Sequence, residues 1–500
     1  MRPPCPRLIS SAYRRYFFLP LFRVIRSFFA ILFLCALCHA NPLGEYLRQA
    51  QESHPSLVAE RALVEQSVRS HEEVAEFLDP TLYGSLGGAS HLRDLPVEPS
   101  TYDTTDVSDS LEGQAGVLIP VKGGAYLTAG GIYRRWFEPD ESPEDLSQHL
   151  LGVKLQIPLL RDRGFALYGY RRAAALAEVH AALHQLQDAE QRVRRDVTQA
   201  FIRLCAAQAD CQVWHDATAR FQRIHREASD MADLKAIPDY QVQTALRELQ
   251  GGLADEDSAK QSLENARIAL GQSMGLRDAV APAEACSPEA LLQAAREVSS
   301  EVPALDQETF RRRGSYLVLL DQREKAEADA AREAENRKDQ LSLNAGVTWQ
   351  AESRQGALSS YRIASEHNWG GEVMLVWSRP LDYTGPEAAL ARSAARLKEL
   401  DARREALAVE ITGEIRIAQL RVEGARRRLE MVASGVEAAR KTLEAEQERF
   451  RLGESTSAIV LDAQKELNNI LLRQNSTAAE LLLAQSELAY ALGYPALNVP

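Results

Sequence analysis

From Ile411 the apolar and small residues of this chain fall at Ile411, Ile415, Ala418, Val422, Ala425, Leu429, Val432, Val436, Ala439 and Leu443. The steps are fours and threes without a break, and Arg and Glu fill the other faces, so the spacing is a heptad seam. It predicts one helix over 386–450, closed by a turn at Arg451, Leu452 and Gly453. A helix of that span is about 98 Å long at ~1.5 Å per residue, too long for one globular domain to cover, so other long helices must lie against it.

Upstream the periods alternate. Helix is expected over 41–77, with Leu43, Leu47, Ala50, Leu57 and Val64 as core candidates, and Asp79 with Pro80 stops it. A strand follows over 81–91, then an exposed polar loop over 91–110. From Leu111 the period becomes two: Leu111, Gly113, Ala115, Val117 and Ile119 face one way. Gly123 and Gly124 turn the chain into a strand over 125–137, an acidic Pro-containing loop covers 138–147, and a further strand sets Leu151, Val153, Leu155 and Ile157 opposite Gly152, Lys154 and Gln156. Strands with one apolar and one small or polar face fit a membrane barrel around a wet lumen.

Helical period returns over 164–233, with Val179, Leu183, Leu186, Val193, Val197, Ala200 and Leu204 in heptad spacing. Shorter helices are expected over 239–274, 288–298 and 307–338. Two more strands come next: Leu341, Leu343, Ala345, Val347 and Trp349 alternate with polar residues, as do Val373, Leu375 and Trp377. After the long helix, a last helix covers 457–492.

The order helix, strands, very long helix, turn, shorter helix therefore occurs twice. Pro158 and Leu159 correspond to Pro380 and Leu381, two strand-to-helix turns, and the first copy is longer by about one β-hairpin. The divisions are a first repeat over 41–276, a linker over 277–306, a second repeat over 307–494 and a tail over 495–500. Neither the strands nor the seams of one chain can close on themselves, which implies several copies.

Composition agrees with packed helices: 26% of the 500 residues are charged and only 7% aromatic. A net charge of -12 argues against nucleic acid as a partner. The first 40 residues read as a signal peptide, with Arg14, Arg15, Arg23 and Arg26 ahead of an apolar run over 28–37 and a cleavage position at Ala40. An uncleaved anchor is the alternative, and the run is short for a span of about 20 residues. Acylation at Cys35 or Cys38 is a further alternative, in a poor context. Cys205 and Cys211, six apart on one helix, cannot bridge each other, and no disulfide framework is implied.

Other chemistry is sparse. His180 and His184 stand at metal-ligand spacing on a helix, but no Glu follows His180, and polar helix faces supply such pairs by chance. Gly87, Gly88, Gly130 and Gly131 lie in strands without a following phosphate-binding helix. Trp136, Trp349, Trp369 and Trp377 cluster in or beside strands, as an aromatic girdle at a membrane interface requires; ordinary sheet packing is the plain alternative.

The run Pro158, Leu159, Leu160, Arg161, Asp162, Arg163, Gly164 and the C-terminal Arg449, Phe450, Arg451, Leu452, Gly453 followed by Val460, Leu461, Asp462, Ala463, Gln464 are similar to motifs of the outer-membrane efflux protein family, the TolC-like channels. With the duplicated plan, the resemblance covers the whole mature chain. It implies a mainly α fold with long helical hairpins forming a periplasmic α-barrel, plus a transmembrane β-barrel shared between protomers. It implies a homotrimer in the outer membrane acting as a passive exit duct, neither enzyme nor cofactor protein. The partners implied are outer-membrane lipid, a periplasmic adaptor and an inner-membrane transporter of an efflux or type I secretion system. Leu234, Lys235 and Ala236, with Arg451, Leu452 and Gly453, match the tips that dock the adaptor. One departure stands out: the family has four strands per protomer and this chain has six. Either the barrel exceeds twelve strands or the hairpin over 111–137 lies outside it. A periplasmic adaptor or coiled-coil scaffold would share the helical hairpins but needs a lipoyl-like or compact β-domain.

Overall fold

The computed structural model describes residues 42–93, 106–121, 123–137, 146–235, 237–278, 287–298, 307–353, 369–452 and 454–494. The expected signal peptide and tail lie outside these residues. The helices are α1 (Pro42–Ser53), α2 (Pro55–Ala75), α3 (Ala166–Asp233), α4 (Asp239–Ser273), α5 (Pro288–Arg296), α6 (Gln307–Arg311), α7 (Gly314–Asn336), α8 (Thr384–Arg451) and α9 (Ser457–Ala491). The strands are β1 (Thr81–Arg93), β2 (Asp106–Val121), β3 (Ala125–Phe137), β4 (Leu146–Pro158), β5 (Gln340–Ser353) and β6 (Trp369–Ser378). No described helix is long and apolar enough to cross a membrane.

Helices α3 and α8 have 68 residues each and set the length of the molecule. No single neighbour covers either one. In the half nearer the strands the row runs α2, α3, α7, α8; in the far half it runs α4, α3, α9, α8. Two short helices thus stack end to end against each long one, which explains why the expected helices over 41–77 and 307–338 are each broken. The first breaks at His54, whose ring accepts from the Ser56 amide, with Pro55 opening α2. The second breaks at Arg313, which is extended (φ -84°, ψ 120°).

Glycines make both stacks possible. Gly275 follows α4 with φ +77°, and a Cβ there would lie 2.5 Å from Pro55 Cδ; Gly493 follows α9 with φ +71°, where a Cβ would meet Arg312 Cβ at 2.7 Å. Left-handed backbone and a close approach coincide, so only glycine fits.

The heptad on α8 is buried as its spacing requires, with Ile411, Ile415, Ala418, Val422 and Ala425 packed into a core that includes Leu481 and Leu488 of α9. A second core nearer the far end joins Phe221 and Ala228 of α3 to Leu443 and Phe450 of α8 and Leu461 of α9. On α3 the seam is buried at Val193, Val197, Ala200 and Leu204, whereas Leu183 stays 46% exposed.

All six strands form one antiparallel sheet in the order β1-β2-β3-β4-β5-β6. The hairpin over 111–137 is therefore inside the sheet, which removes one of the two alternatives left by the sequence. Strand β2 starts at Asp106, inside the stretch expected as loop, because Asp106 to Ser110 pair with Arg93 to Ala89. Cys211 is a free thiol. Cys205 is disulfide-bonded. The expectation that Cys205 and Cys211 do not bridge each other therefore holds.

Candidate functional site: channel wall and helical tips

Residues paired across a sheet share a face, so the register sorts the wall into two surfaces. One row runs Leu82, Val117, Ala129, Val153, Val347, Gly371. The neighbouring row runs Tyr83, Gly116, Gly130, Gly152, Thr348, Gly370. The alternation persists along the strands: Leu82, Leu86, Leu151, Val347 and Val373 of the apolar face are each exposed to about half or more, Val373 at 79%. The other face carries two ion pairs, Arg134 Nε to Glu112 Oε2 at 2.8 Å and Lys154 Nζ to Glu372 Oε1 at 3.3 Å. A sheet with an exposed apolar face and a polar, charge-paired face has the two surfaces that a barrel wall between lipid and water requires.

On the polar face the Tyr83 ring lies across two glycines. A Cβ at Gly116 would come within 2.6 Å of its hydroxyl and one at Gly130 within 3.2 Å. The ring fills the space that two side chains would otherwise occupy.

The tryptophans divide by register. Trp349 pairs with Trp369 at one end of the apolar face, and Trp377 pairs with Leu341 on that face at the other end. Trp136 pairs with Leu146 and Ser110, in the register series of Glu112 and Arg134. The apolar face thus holds three of the four girdle candidates.

The turn after β4 is tied both to β5 and to the end of α7. Leu159 donates to the Leu341 carbonyl at 2.7 Å, Arg161 reaches Asn336 Oδ1 at 3.1 Å, and the Asp162 amide donates to Glu335 Oε1 at 3.0 Å. Asp162, Gly164 and Phe165 all take positive φ, and the Asp162 carboxylate accepts from the Leu167 amide at 2.8 Å, satisfying an orphan donor at the start of α3. Leu159 is thereby fixed to β5, and Arg161 and Asp162 to the end of α7. After Pro380, Leu381 is fully exposed, and the turn is held by the Thr384 amide, which donates to Asp382 Oδ1 at 2.9 Å, and by the Tyr383 hydroxyl, which donates to Asp339 Oδ1.

At the far end α3 and α8 stop in the same way. Leu234 and Leu452 are right-handed caps whose amides bond back to Asp230 and Glu448, and Lys235 turns the chain with φ +59°. Leu234 is 80% exposed and Leu452 66% exposed. Ala236 and Gly453 lie outside the described residues. The two returning helices touch at their starts, where Ser457 Oγ donates to Gln241 Oε1 at 3.4 Å. Beside this end a cavity of about 280 Å³ is lined by charged residues of the two long helices, among them Arg220, Arg223, Arg440, Glu227 and Glu444. Burial pushes the Arg220 guanidinium down from its ordinary value.

One group among the described residues has metal-ligand spacing: His180, Asp321 and Glu324 offer one atom each within 4.8 Å of one another. His184 Nδ1 already lies 2.6 Å from Asp321 Oδ2. The buried carboxylate is satisfied by that contact between α3 and α7 without an ion.

No family model matches the sequence, and no curated protein matches it. Solved structures do match. The open-state MtrE outer membrane channel of Neisseria gonorrhoeae aligns over 91% of this chain and 89% of its own with TM-score 0.66 and 15% identity. The outer membrane protein VceC of Vibrio cholerae aligns over 91% and 96% with TM-score 0.63 and 16% identity. CusC, described in terms of transmembrane channel formation, aligns over 90% and 92% with TM-score 0.66 and 14% identity. This chain thus shares the fold of these solved outer-membrane channels.

Proposed function

We propose that the protein is the outer-membrane exit duct of an export system, a passive trimeric channel whose helical tips dock a periplasmic adaptor linked to an inner-membrane pump. The observation that carries this reading is the two-faced sheet with both edges open. Every residue of β6 is exposed, β1 is unpaired on its outer side, and the alternating order makes β1 and β6 antiparallel to each other. The β6 edge of one copy can therefore continue into β1 of the next without breaking the antiparallel pattern, and closure removes edges that lipid does not tolerate.

The helices support the same closure. Opposite its buried seam, α8 carries a second heptad of small and apolar residues, Gly413, Ile417, Leu420, Gly424 and Met431, with Ile417 54%, Leu420 67% and Met431 65% exposed. At the other edge of the row Val58, Leu63, Leu253 and Ile268 are exposed. A second copy packed side by side covers both. The bonded Cys205 suits an oxidising compartment such as the periplasm, and the exposed Leu234 and Leu452 give the tips apolar anchors for an adaptor.

The test is reconstitution of residues 41–500 into planar bilayers, with subunit counting by native mass spectrometry on the same preparation. Discrete conductance steps from a three-copy assembly are expected. A non-conducting, water-soluble protein would overturn the reading in favour of a periplasmic scaffold.

A further inference from the structure

The seam between α3 and α7 holds a cluster that the channel reading does not use. His180 and His184 stand four apart on α3, and Asp321 and Glu324 three apart on α7, so each pair projects from one face of its helix. The two helices lie side by side in the half nearer the strands. Packing brings the pairs together: His180, Asp321 and Glu324 each offer one ligand atom, and these atoms lie within 4.8 Å of one another. The spacing along α3 singles out His180 with His184, whereas the fold sets His180 against two carboxylates and gives His184 another place. Its Nδ1 lies 2.6 Å from Oδ2 of Asp321, a residue only 8% exposed.

From this arrangement we infer that His180, Asp321 and Glu324 bind one divalent first-row transition-metal ion, and that His184 is the positioning residue that holds the Asp321 carboxylate. All the donors come from one chain, so the site does not depend on how many copies assemble. His180 is fourteen residues after Ala166, about 21 Å along α3 at ~1.5 Å per residue. An ion there clamps α3 to α7 well below the sheet.

The donors are uncommitted. Among the described residues, neither His180 nor Glu324 takes part in a hydrogen bond or an ion pair. The basic side chains beside them are engaged elsewhere: Arg323 with Asp401 at 2.8 Å and Glu327 at 2.6 Å, and Lys325 with Glu178 at 2.9 Å. Asp321 and Glu324 therefore stand together with no Lys or Arg between them, and a divalent cation turns their repulsion into attraction.

The geometry suits a small ion. Around a tetrahedral centre with bonds of about 2.0–2.2 Å, donor atoms stand about 3.4 Å apart. Donors within 4.8 Å need to close by at most about 1.4 Å, a movement that rotation of the exposed Glu324 side chain can supply. Water takes the fourth position. One imidazole with two carboxylates suits zinc and its neighbours, whereas calcium takes six to eight oxygens and magnesium a strict octahedron. The hydrogen bond between His184 and Asp321 leaves the other carboxylate oxygen for the ion, the outer-shell support that ligating carboxylates ordinarily have.

The experiment uses the full chain, free of affinity tags, purified in detergent and stripped with EDTA. Titration calorimetry with zinc chloride should show saturable binding of one ion per chain, and the unfolding midpoint should rise with zinc concentration. Cobalt(II) at the same site should give the intense visible absorption of a four-coordinate ion. His180→Ala and Glu324→Gln should each abolish the saturable binding, His184→Ala should weaken it by about 10–100-fold, and His225→Ala should keep the parent affinity. Absence of saturable binding in the parent, or parent affinity in His180→Ala, would overturn the site. Either ligand variant alone decides this if the other fails to fold. Parent affinity in His184→Ala would overturn its positioning role, and displacement of zinc by equimolar calcium would overturn the transition-metal assignment.

Discussion

The guanidinium of Arg313 lies 4.4 Å from the centre of the Tyr490 ring while its Nη1 donates to the Tyr490 carbonyl at 3.2 Å. Arg195 approaches the same ring, also at 4.4 Å, and Arg313 pairs with Glu414 at 3.2 Å. With its side chain only 5% exposed, Arg313 sits at the break between α6 and α7, where α9 ends, and ties three helices together at mid-height. Arg313→Ala should lower stability by about 2 kcal/mol through lost charge-assisted bonds and ring contact. Arg313→Lys should recover little, because an ammonium cannot make the planar, forked contact. Thermal unfolding of the two variants against the parent decides this; equal midpoints for Lys and Arg would sink the argument.

The glycine stacks give a second expectation. Gly275→Ala and Gly493→Ala each force an L residue into left-handed backbone, at about 1–2 kcal/mol, and add a Cβ at 2.5 Å from Pro55 Cδ or 2.7 Å from Arg312 Cβ. Gly169→Ala is the control, because a Cβ there meets nothing within 4 Å. Comparison of unfolding midpoints should show loss at the two caps and none, or a slight gain, at the control.

How much of this was legible beforehand follows the length scale of each feature. Strict periods announced themselves: the α8 seam from Ile411 to Leu443 and the alternation through Leu151, Val153 and Leu155 each depend only on residues close in sequence. The break at Arg313 did not, because nothing local stops the helical period there and the cause is the end of α9, far along the chain. The start of β2 at Asp106 was hidden likewise, since polar residues become strand only when β1 offers partners. At the tips, Leu234 and Leu452 were found through the repeat. The disulfide at Cys205 was missed because spacing along one helix speaks only to Cys211.

Adjacent residues on β5 should respond oppositely to the same change. Val347 belongs to the apolar row and is 53% exposed, while Thr348 belongs to the glycine row. Val347→Lys places a charge against lipid and should cost about 2–4 kcal/mol near the midplane. Thr348→Lys faces water and should assemble normally. The fraction that keeps folded mobility in unheated electrophoresis samples reads the difference, and similar losses for both would contradict the assignment of faces.

On the proposed reading the polar face lines the pore, so the pair Arg134 and Glu112 bears on selectivity. Arg134→Ala leaves Glu112 without its partner, once per copy, so the wall gains uncompensated negative charge. Reversal potentials in a salt gradient should shift toward cation preference, whereas the double variant with Glu112→Ala should return to the parent value. No shift in the single variant would place the pair away from the permeation path.

Asp210 supplies the pH dependence. Burial raises its carboxyl above the ordinary 3.8, and the hydrogen bond from Asn475 Nδ2 to Oδ1, at 3.0 Å, offsets this only in part. The folded state therefore holds the proton more tightly than the unfolded chain. Stability is greatest below 3.8 as far as this group is concerned, falls as pH rises through the folded value, and stays reduced at neutral pH. Asp210→Asn keeps an acceptor for Asn475 and removes the ionisation. The variant should be more stable than the parent at pH 7, and the gap should close as pH falls toward 4. Denaturant unfolding at several pH values measures it, and a variant less stable at pH 7 would mean that the charged carboxylate contributes more through Asn475 than its burial costs.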